Sequence, residues 1–318
     1  GGGQRVAVIG SGAVGLYYGA RLKEAGHDVS FLCRRDLDAI KSDGLTVESV
    51  DGDMRFEPED IKVFGSSEEI GEVDWVVLSL KTYSLKSALE LVQPVMGPKT
   101  RILAIMNGYG IESTLARFFP PDRIFGGMAF ICSNRGDPGV VLHQKYGALL
   151  VGHYQDKERE LDQVERLFNG ANVQISTSQS ILCSRWDKLC WNIPFNGLAV
   201  AMGGITTDQI VTDPSLREIA YELMKEVVDA ANEDLKSSRI PKQHRLDKEE
   251  VLKRMFSLTD SMGVYKPSTM LDLVNGKPME VEYMFGNPLG RALELDMRVP
   301  RMETVINMIK AQQRLRKL

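Results

Sequence analysis

The chain has 318 residues, of which 43% are hydrophobic and 26% are charged. This composition is typical of a globular protein with one large or two ordinary domains. Its 39 basic and 43 acidic residues give a formal net charge of −4, so there is no electrostatic reason to expect binding to nucleic acid or to a membrane. No segment resembles a membrane span or a secretory signal, and we expect a cytoplasmic protein. The four cysteines are expected to be buried free thiols, and the scattered histidines suggest no metal site.

The first informative feature is a glycine-rich loop near the start of the chain. Residues 6–9 form an apolar run that predicts a buried strand, and residues 16–25 predict a helix. The loop between them has the pattern GxGxxG, made by Gly10, Ser11, Gly12, Ala13, Val14 and Gly15. In such a loop the first glycine allows a tight turn, the second lets backbone approach a pyrophosphate, and the third lets helix and strand pack closely. The context predicts dinucleotide binding; the alternative is a glycine-rich turn without a ligand.

The end of the second predicted strand, residues 27–33, indicates which dinucleotide is bound. A site for NAD usually has an acidic residue there, which holds the ribose 2′-hydroxyl. This chain has Arg34 and Arg35 instead, and guanidinium groups suit a 2′-phosphate. We therefore predict NADP(H) in preference to NAD(H). The alternative is that Arg35 and Asp36 only form a solvated ion pair.

The rest of the first half alternates predicted strands with predicted helices. The predicted strands cover residues 45–50 and 54–57 (an edge hairpin), 73–80, 101–106, 124–133, 140–153 and 173–177. The predicted helices lie near residues 85–95, 112–119 and 157–169. This β-α-β order predicts a Rossmann-type α/β fold, with a doubly wound parallel sheet and an antiparallel extension.

From about residue 178 helical periodicity replaces the strand pattern. Asp213 and Pro214 are a typical N-cap and first residue for a long helix ending near residue 235. Further helices are predicted around residues 248–257, 281–294 and 302–316. We therefore predict a dinucleotide-binding domain over residues 1–177 and an all-helical substrate domain over residues 178–318. Because ligands of open α/β sheets lie at the carboxyl ends of the strands, we expect the substrate where the helical domain faces that edge.

A polar row stands out in the apolar segment that opens the helical half. Lys188, Asn192 and Asn196 are spaced four residues apart, so a helix places them on one face. Buried polar groups need hydrogen-bond partners, and a small ligand would supply them. Alternatively, the two asparagines bridge helices and Lys188 reaches water. Pro194 lacks an N–H and is expected to kink the helix before Asn196.

Four other polar residues are candidates for the site. Lys81 and Asn107 follow two predicted strands, where either could contact a ligand or be an ordinary loop residue. Ser268 is a candidate helix N-cap. Glu280 opens a predicted helix, where the helix dipole alone could explain an acidic residue.

Together these residues resemble the ketopantoate reductase (2-dehydropantoate 2-reductase) family. The resemblance spans nearly the whole chain and consists of the GxGxxG loop, Arg34, Lys81, Asn107, the row of Lys188, Asn192 and Asn196, and the spacing of Ser268, Asp272 and Glu280. It implies an NADP-binding Rossmann domain followed by a helical domain like the C-terminal domain of 6-phosphogluconate dehydrogenase. Met106 departs from the glutamine that the family often has before Asn-Gly.

The resemblance also implies roles for individual residues. Lys188 would donate the proton in the reduction of a 2-keto acid, with Glu280 as its polar partner. Substrate would be held by Asn107, Asn192, Asn196 and Ser268. The glycine loop, Arg34 and Lys81 would bind NADP(H), with further cofactor contacts from Asn107 and Glu280.

With this resemblance, three functions remain open, and the first is the one that the resemblance implies. The first is reduction of ketopantoate to pantoate, in pantothenate and coenzyme A biosynthesis, or of another 2-keto acid by a related enzyme. The second is a β-hydroxyacid dehydrogenase, which shares this architecture. The third is a non-catalytic NADP-binding regulator. A homodimer is compatible with the apolar helical half.

Overall fold

The computed structural model describes residues 2–318, which form two compact units. The first unit comprises the chain up to Met106 together with Ile111–Ile181, and the second comprises Asn107–Gly110 and Leu182–Leu318. Each unit has its own cluster of buried apolar side chains. The short segment Asn107–Gly110 therefore groups with the second unit although the residues on both sides of it group with the first.

The first unit is built on one ten-stranded sheet. Its strands are β1 Arg5–Ile9, β2 Asp28–Leu32, β3 Leu45–Ser49, β4 Met54–Phe56, β5 Lys62–Phe64, β6 Val73–Leu78, β7 Met96–Ile105, β8 Ile124–Arg135, β9 Val140–His153 and β10 Ile175–Ser178. They follow the order β4-β3-β9-β8-β7-β6-β1-β2-β5, and β10 also pairs with β9. The block from β5 to β8 is parallel, whereas β9 runs antiparallel to β8. This confirms the predicted parallel sheet with an antiparallel extension, and β3 and β4 pair as the predicted edge hairpin.

Helices connect the strands of this unit, as the alternating pattern predicted. They are α1 Ala13–Glu24, α2 Leu37–Asp43, α3 Leu85–Val92, α4 Ile111–Leu115 and α5 Glu158–Phe168. Short 3-10 turns lie at Pro58–Asp60, Ser67–Glu69, Thr82–Ser84, Gln93–Val95 and Pro121–Arg123. The central strands β1 and β6 are almost fully buried, as expected for a sheet covered on both faces.

The second unit is helical, and within residues 2–318 no strand follows Ser178. Its helices are α6 Ile181–Trp191, α7 Gly197–Ala201, α8 Thr207–Thr212, α9 Pro214–Ser237, α10 Lys248–Met262, α11 Ser268–Val274, α12 Asn287–Glu294 and α13 Pro300–Arg316. Two π-helical turns, Asn192–Asn196 and Glu282–Gly286, precede α7 and α12, and a 3-10 turn covers Lys242–His244. None of the helices in the described part of the chain is both long enough and apolar enough to cross a membrane.

Local predictions in this half had mixed outcomes. The predicted cap of α9 is confirmed, because an oxygen of Asp213 accepts a hydrogen bond from the backbone N–H of Leu216 at 2.8 Å. The predicted N-cap at Ser268 is wrong: α11 begins at Ser268 itself, and Pro267 occupies the N-cap position. The disruption expected at Pro194 takes the form of a π-helical turn. The longer π-helical ladder accommodates a residue that lacks an N–H.

The cysteines are also only partly as expected. All four are free thiols, and Cys33 and Cys190 are buried. Cys132 and Cys183 are of intermediate exposure, so the prediction that all four are buried is wrong for these two.

Candidate active site

The glycine loop has the geometry that its sequence predicts. Gly10 has φ +92°, and a Cβ there would fall against the carbonyl oxygen of Ser79. A Cβ on Gly15 would fall against the carbonyl oxygen of Gly10. Both positions therefore require glycine. Gly10 makes the turn and packs against the segment that follows β6, and Gly15 lets α1 pack closely on the loop.

Gly12 differs from its neighbours because the space above it is open. A Cβ at Gly12 would have as its nearest neighbour a guanidinium nitrogen of Arg135, 3.7 Å away. Gly12 is also the N-cap of the 12-residue helix α1, and its first turn has no side-chain cap and no acidic residue. Open space, helix N–H groups and a nearby guanidinium are the features that bind a phosphate. The loop therefore fits the pyrophosphate of a dinucleotide.

The two arginines after β2 have different surroundings. Arg35 donates a hydrogen bond to the carbonyl oxygen of Gly136 at 2.8 Å and lies 3.6 Å from a carboxylate oxygen of Asp36. Asp36 is 2% exposed and accepts a hydrogen bond from the N–H of Gly139, whereas the Arg35 side chain is 39% exposed. The ion pair that we considered as the alternative is therefore present, with only its carboxylate buried. Arg34 is exposed. Both guanidinium side chains are exposed, and that of Arg35 is already engaged by Gly136 and Asp36.

The other predicted cofactor residues do not all belong to the same unit. Lys81 is exposed at the start of the 3-10 turn Thr82–Ser84, after β6. Asn107 follows β7, but it groups with the helical unit and its side chain bonds there. Glu280 lies in the segment just before the π-helical turn Glu282–Gly286.

Lys188 lies near the end of α6 and is bonded to one of the predicted substrate residues. Its Nζ donates a hydrogen bond to Oδ1 of Asn107 at 2.7 Å. Burial lowers the pKa of Lys188 to about 8, with the neighbouring Arg185 charge acting in the same direction and Glu280 opposing both. The ordinary lysine pKa of about 10.4 therefore does not apply. An ammonium with a pKa near 8 is well matched to proton transfer at neutral pH.

The two asparagines of the predicted row lie in the π-helical turn after α6. Asn196 is fully buried, and its amide nitrogen donates to Oδ1 of Asn192 at 3.3 Å and to Oγ1 of Thr269 at 3.1 Å. Its Oδ1 accepts from the N–H of Met270 at 3.3 Å. Asn192 is 6% exposed. The bridging that we considered as the alternative to ligand binding is thus present at Asn196, where both ends of the amide have protein partners.

Ser268 is the neighbour of Thr269 at the start of α11, and its side chain is exposed. The structure therefore brings together Lys188 and Asn107 through one hydrogen bond, and Asn192, Asn196 and α11 through another set. The five predicted substrate and catalytic residues other than Glu280 lie in these two groups. The charge of Glu280 acts on Lys188 and raises its pKa. Every one of these residues belongs to the helical unit.

Sequence reasoning missed two arginines. Arg185, only 3% exposed, lies one turn before Lys188 on α6 and contributes to its lowered pKa. Its three-residue spacing from Lys188 was a usable signal. Arg135 donates to the carbonyl oxygen of Ser11 at 3.1 Å from 124 residues away, and no local pattern predicts such a contact.

Comparison with known proteins places the chain in a family. The sequence model described as Ketopantoate reductase PanE/ApbA matches residues 6–156, and that of the Ketopantoate reductase PanE/ApbA C terminal matches residues 180–313. The chain belongs to the ketopantoate reductase family. The resemblance predicted from the sequence is thereby confirmed, together with the Rossmann-type and helical parts of the fold.

Relatives of known name agree with this membership of the ketopantoate reductase family. A 2-dehydropantoate 2-reductase from Nostoc sp. is 32% identical over 313 residues, covering 96% of this chain and 94% of the relative. A crystal structure of 2-dehydropantoate 2-reductase from Geobacter metallireducens has a TM-score of 0.88 and 36% identity, covering 96% of this chain and 99% of that one. One from Methylococcus capsulatus has a TM-score of 0.88 and 30% identity, covering 99% and 98%. The chain is accordingly an oxidoreductase that acts on a CH–OH group.

Proposed function

We propose that this protein catalyses the NADPH-dependent reduction of 2-dehydropantoate (ketopantoate) to pantoate, a step that serves pantothenate and coenzyme A biosynthesis. The observation that supports this most directly is the hydrogen bond of 2.7 Å from Lys188 Nζ to Asn107 Oδ1. It joins the proposed proton donor to a proposed substrate ligand from a distant part of the chain. Family membership indicates an oxidoreductase that acts on a CH–OH group. The proposed residues include a proton donor and hydrogen-bonding groups for the substrate.

The proposed cofactor contacts come from the first unit. The backbone of Gly10–Gly15 and the first turn of α1 would hold the pyrophosphate, with Arg135 close to the open face of Gly12. Exposed Arg34 would bind the 2′-phosphate, and Lys81 would add a second cation. We also keep Asn107 and Glu280 as proposed cofactor contacts. When bound, reduced NADP supplies the hydride that is added to the 2-keto carbon.

Lys188 is the proposed acid. Negative charge develops on the carbonyl oxygen during reduction, and an ammonium within hydrogen-bond distance stabilises that charge and transfers a proton to it. With a pKa of about 8, Lys188 is mostly protonated at neutral pH yet gives up its proton more easily than an ordinary lysine. Asn107 holds Nζ by its Oδ1, and Glu280 favours the charged form.

The proposed substrate residues offer neutral donors and acceptors. Amide side chains and a hydroxyl suit both a carboxylate and hydroxyl groups, which ketopantoate has. Asn107, Asn192 and exposed Ser268 are the proposed direct ligands. Asn196 already bonds Asn192 and Thr269, so we propose that it acts on the substrate mainly by fixing the Asn192 amide.

The engagement of Asn196 favours a second candidate within the same class. Because both ends of its amide bond to protein groups, Asn196 has little capacity left for the hydroxyl group that distinguishes ketopantoate from simpler 2-keto acids. A related reductase of a 2-keto acid without that hydroxyl is therefore the alternative.

A substrate panel tests these proposals. Initial rates with ketopantoate, 2-ketoisovalerate and pyruvate would be measured with NADPH and with NADH, and the reverse direction with pantoate and a 3-hydroxy acid. We expect the highest kcat/KM for ketopantoate with NADPH. A preference for 2-ketoisovalerate would favour the second candidate, and oxidation of the 3-hydroxy acid would indicate a β-hydroxyacid dehydrogenase. Tight NADPH binding without turnover of any compound would contradict an enzymatic role.

A further inference from the structure

The four-residue segment Asn107–Gly110 is held against the helical unit by backbone contacts. The N–H of Tyr109 donates to the carbonyl oxygen of Tyr283 at 2.7 Å. The carbonyl oxygen of Tyr109 accepts from the side-chain amide of Asn287 at 3.1 Å. Gly108 has φ +122°, and a Cβ there would come within 2.8 Å of the Tyr283 backbone. The segment is thus seated on the π-helical turn Glu282–Gly286 and the start of α12.

A buried carboxylate provides the side-chain anchor of the same segment. Asp234 on α9 is 1% exposed and accepts three hydrogen bonds. The hydroxyl of Tyr109 donates to Oδ2 at 2.7 Å, and Nε1 of Trp186 donates to the same oxygen at 3.0 Å. Nε of Arg291 donates to Oδ1 at 2.7 Å. Burial first, and the Asp234 carboxylate second, raise the pKa of Tyr109, so its phenol remains a donor.

These contacts connect Asp234 to both ends of the Lys188–Asn107 hydrogen bond. Trp186 lies two residues before Lys188 on α6, and Tyr109 lies two residues after Asn107. The Tyr109 and Trp186 rings also pack together, with centroids 5.1 Å apart. One carboxylate therefore fixes the helix that presents the ammonium and the segment that presents its acceptor.

Stability alone is a poor explanation for such a cluster. Burying a carboxylate is costly, and a buried ion pair commonly contributes little more than the apolar residues that could replace it. A buried polar network does, however, hold its members in one arrangement. The cluster can therefore hold two distant chain segments in the fixed positions that the Lys188–Asn107 hydrogen bond requires.

We propose that Asp234, acting through Tyr109 and Trp186, is the positioning residue that sets the Lys188–Asn107 hydrogen bond, an inference that rests on the proposed function of Lys188. The hydrogen bonds described for Asp234 go to Tyr109, Trp186 and Arg291. Its influence on the reaction passes through the placement of Asn107 and α6.

A double-mutant cycle tests the proposal. Tyr109→Phe removes the hydroxyl and keeps the ring, and we expect kcat to fall about tenfold, less than the hundredfold that a displacement of about 1 Å can cost. In an Asn107→Ala background the same change should alter kcat by less than about twofold, because the group that Tyr109 positions is already gone. Additive losses in the two backgrounds would overturn the proposal.

Thr259→Val is the matched control. Thr259, 1% exposed, accepts a hydrogen bond from Nε1 of Trp191 at 3.0 Å, so this variant also deprives an α6 indole of a buried partner, away from Tyr109. We expect it to lower Tm comparably and to leave kcat within about twofold. An equal loss of kcat in Thr259→Val would show a general effect of destabilisation and would overturn the proposal.

A second readout needs no substrate. The side-chain nitrogen of Lys188 would be titrated by NMR in the wild-type protein, Tyr109→Phe and Thr259→Val. Because an acceptor stabilises the charged ammonium, we expect a lower Lys188 pKa in Tyr109→Phe and no change in Thr259→Val. An unchanged pKa in Tyr109→Phe would overturn the positioning role, whereas absence of ketopantoate turnover by the wild type would overturn only the proposed function.

Discussion

The glycine loop and the Lys188 region place polar groups by different means. In the loop, backbone within six consecutive residues makes the site, and each required glycine is explained by an atom close to it, such as the Ser79 carbonyl at Gly10. Around Lys188, side chains from α6, the segment after β7 and the segment before α12 converge. The first is a local arrangement that sequence spacing determines, and the second depends on tertiary packing.

Substitutions should act differently in the two regions. A backbone site should fail when a Cβ intrudes, whereas a side-chain site should fail when one functional group is removed. The same contrast separates binding from chemistry, because the loop would hold a cofactor and Lys188 would change the energy of the transition state. Substitutions in each region test this contrast directly.

The largest effect is expected for the proton donor. Lys188→Ala should lower kcat by about a hundredfold or more, as loss of general acid catalysis does, while the Kd for NADPH stays within about twofold. Steady-state kinetics and a fluorescence titration of NADPH measure the two effects. Lys253→Ala, which removes an exposed lysine of α10, is the control. Near-normal kcat in Lys188→Ala would disprove the assigned role.

A smaller effect is expected at the proposed 2′-phosphate site. Arg34→Ala should reduce kcat/KM for NADPH by about tenfold to a hundredfold, since a hydrogen bond to a charged group contributes roughly 1.5–3 kcal/mol. The kcat/KM for NADH should not change. Lys41→Ala removes the same charge from an exposed position on α2 and should preserve the preference. If both variants behave alike, the preference is set by overall charge.

The glycine loop offers a test of local geometry. Gly12→Ala should raise the Kd for NADPH about tenfold with little change in Tm, because φ is −82° and the space is open without a ligand. Gly10→Ala should lower both affinity and Tm, because of its φ of +92° and the adjacent Ser79 carbonyl. Equal loss of Tm in the two variants would contradict this distinction.

The smallest effect is expected in the pH dependence. The rate of reduction should fall as the pH rises through about 8, where Lys188 loses its proton; the oxidation rate should change in the opposite direction. Glu280 opposes the lowering of this pKa, so Glu280→Gln should move the fall in reduction rate to lower pH, by about one pH unit or less. A shift to higher pH would mean that Glu280 does not stabilise the ammonium.

Periodicity and turn chemistry predicted most of the fold. The strands on either side of the glycine loop and the cap at Asp213 were predictable because their causes lie within a few residues. Ser268 was misjudged as a cap because Pro267, immediately before it, has the extended backbone that an N-cap position needs. At Asn192–Asn196 only a kink was predicted. The sequence shows that Pro194 lacks an N–H, but it does not show that a π-helical hydrogen-bond pattern forms there.

The candidate site was predictable in part. Spacing on one helix identified Lys188 with Asn192 and Asn196, but not that the Asn196 amide would be fully engaged by α11. The lowered pKa of Lys188 comes mainly from burial, and the spacing of polar residues along one helix does not reveal how deeply a side chain is buried. Arg135 reaches Ser11, and Asp234 reaches Tyr109, across more than a hundred residues, and no short sequence pattern predicts contacts of that range.

The anchoring of Tyr109 by Asp234 bears on how the protein is made. Asn107 is synthesised 81 residues before Lys188, and Tyr109 is synthesised 125 residues before Asp234. Strands β1, β2, β5, β6 and β7 can pair before the later helices have left the ribosome, because domains form from the N-terminus during translation. The proposed positioning of Asn107, which accepts the hydrogen bond from Lys188, therefore requires that α9 has been synthesised. We expect catalytic competence to appear as one of the last events of biosynthesis.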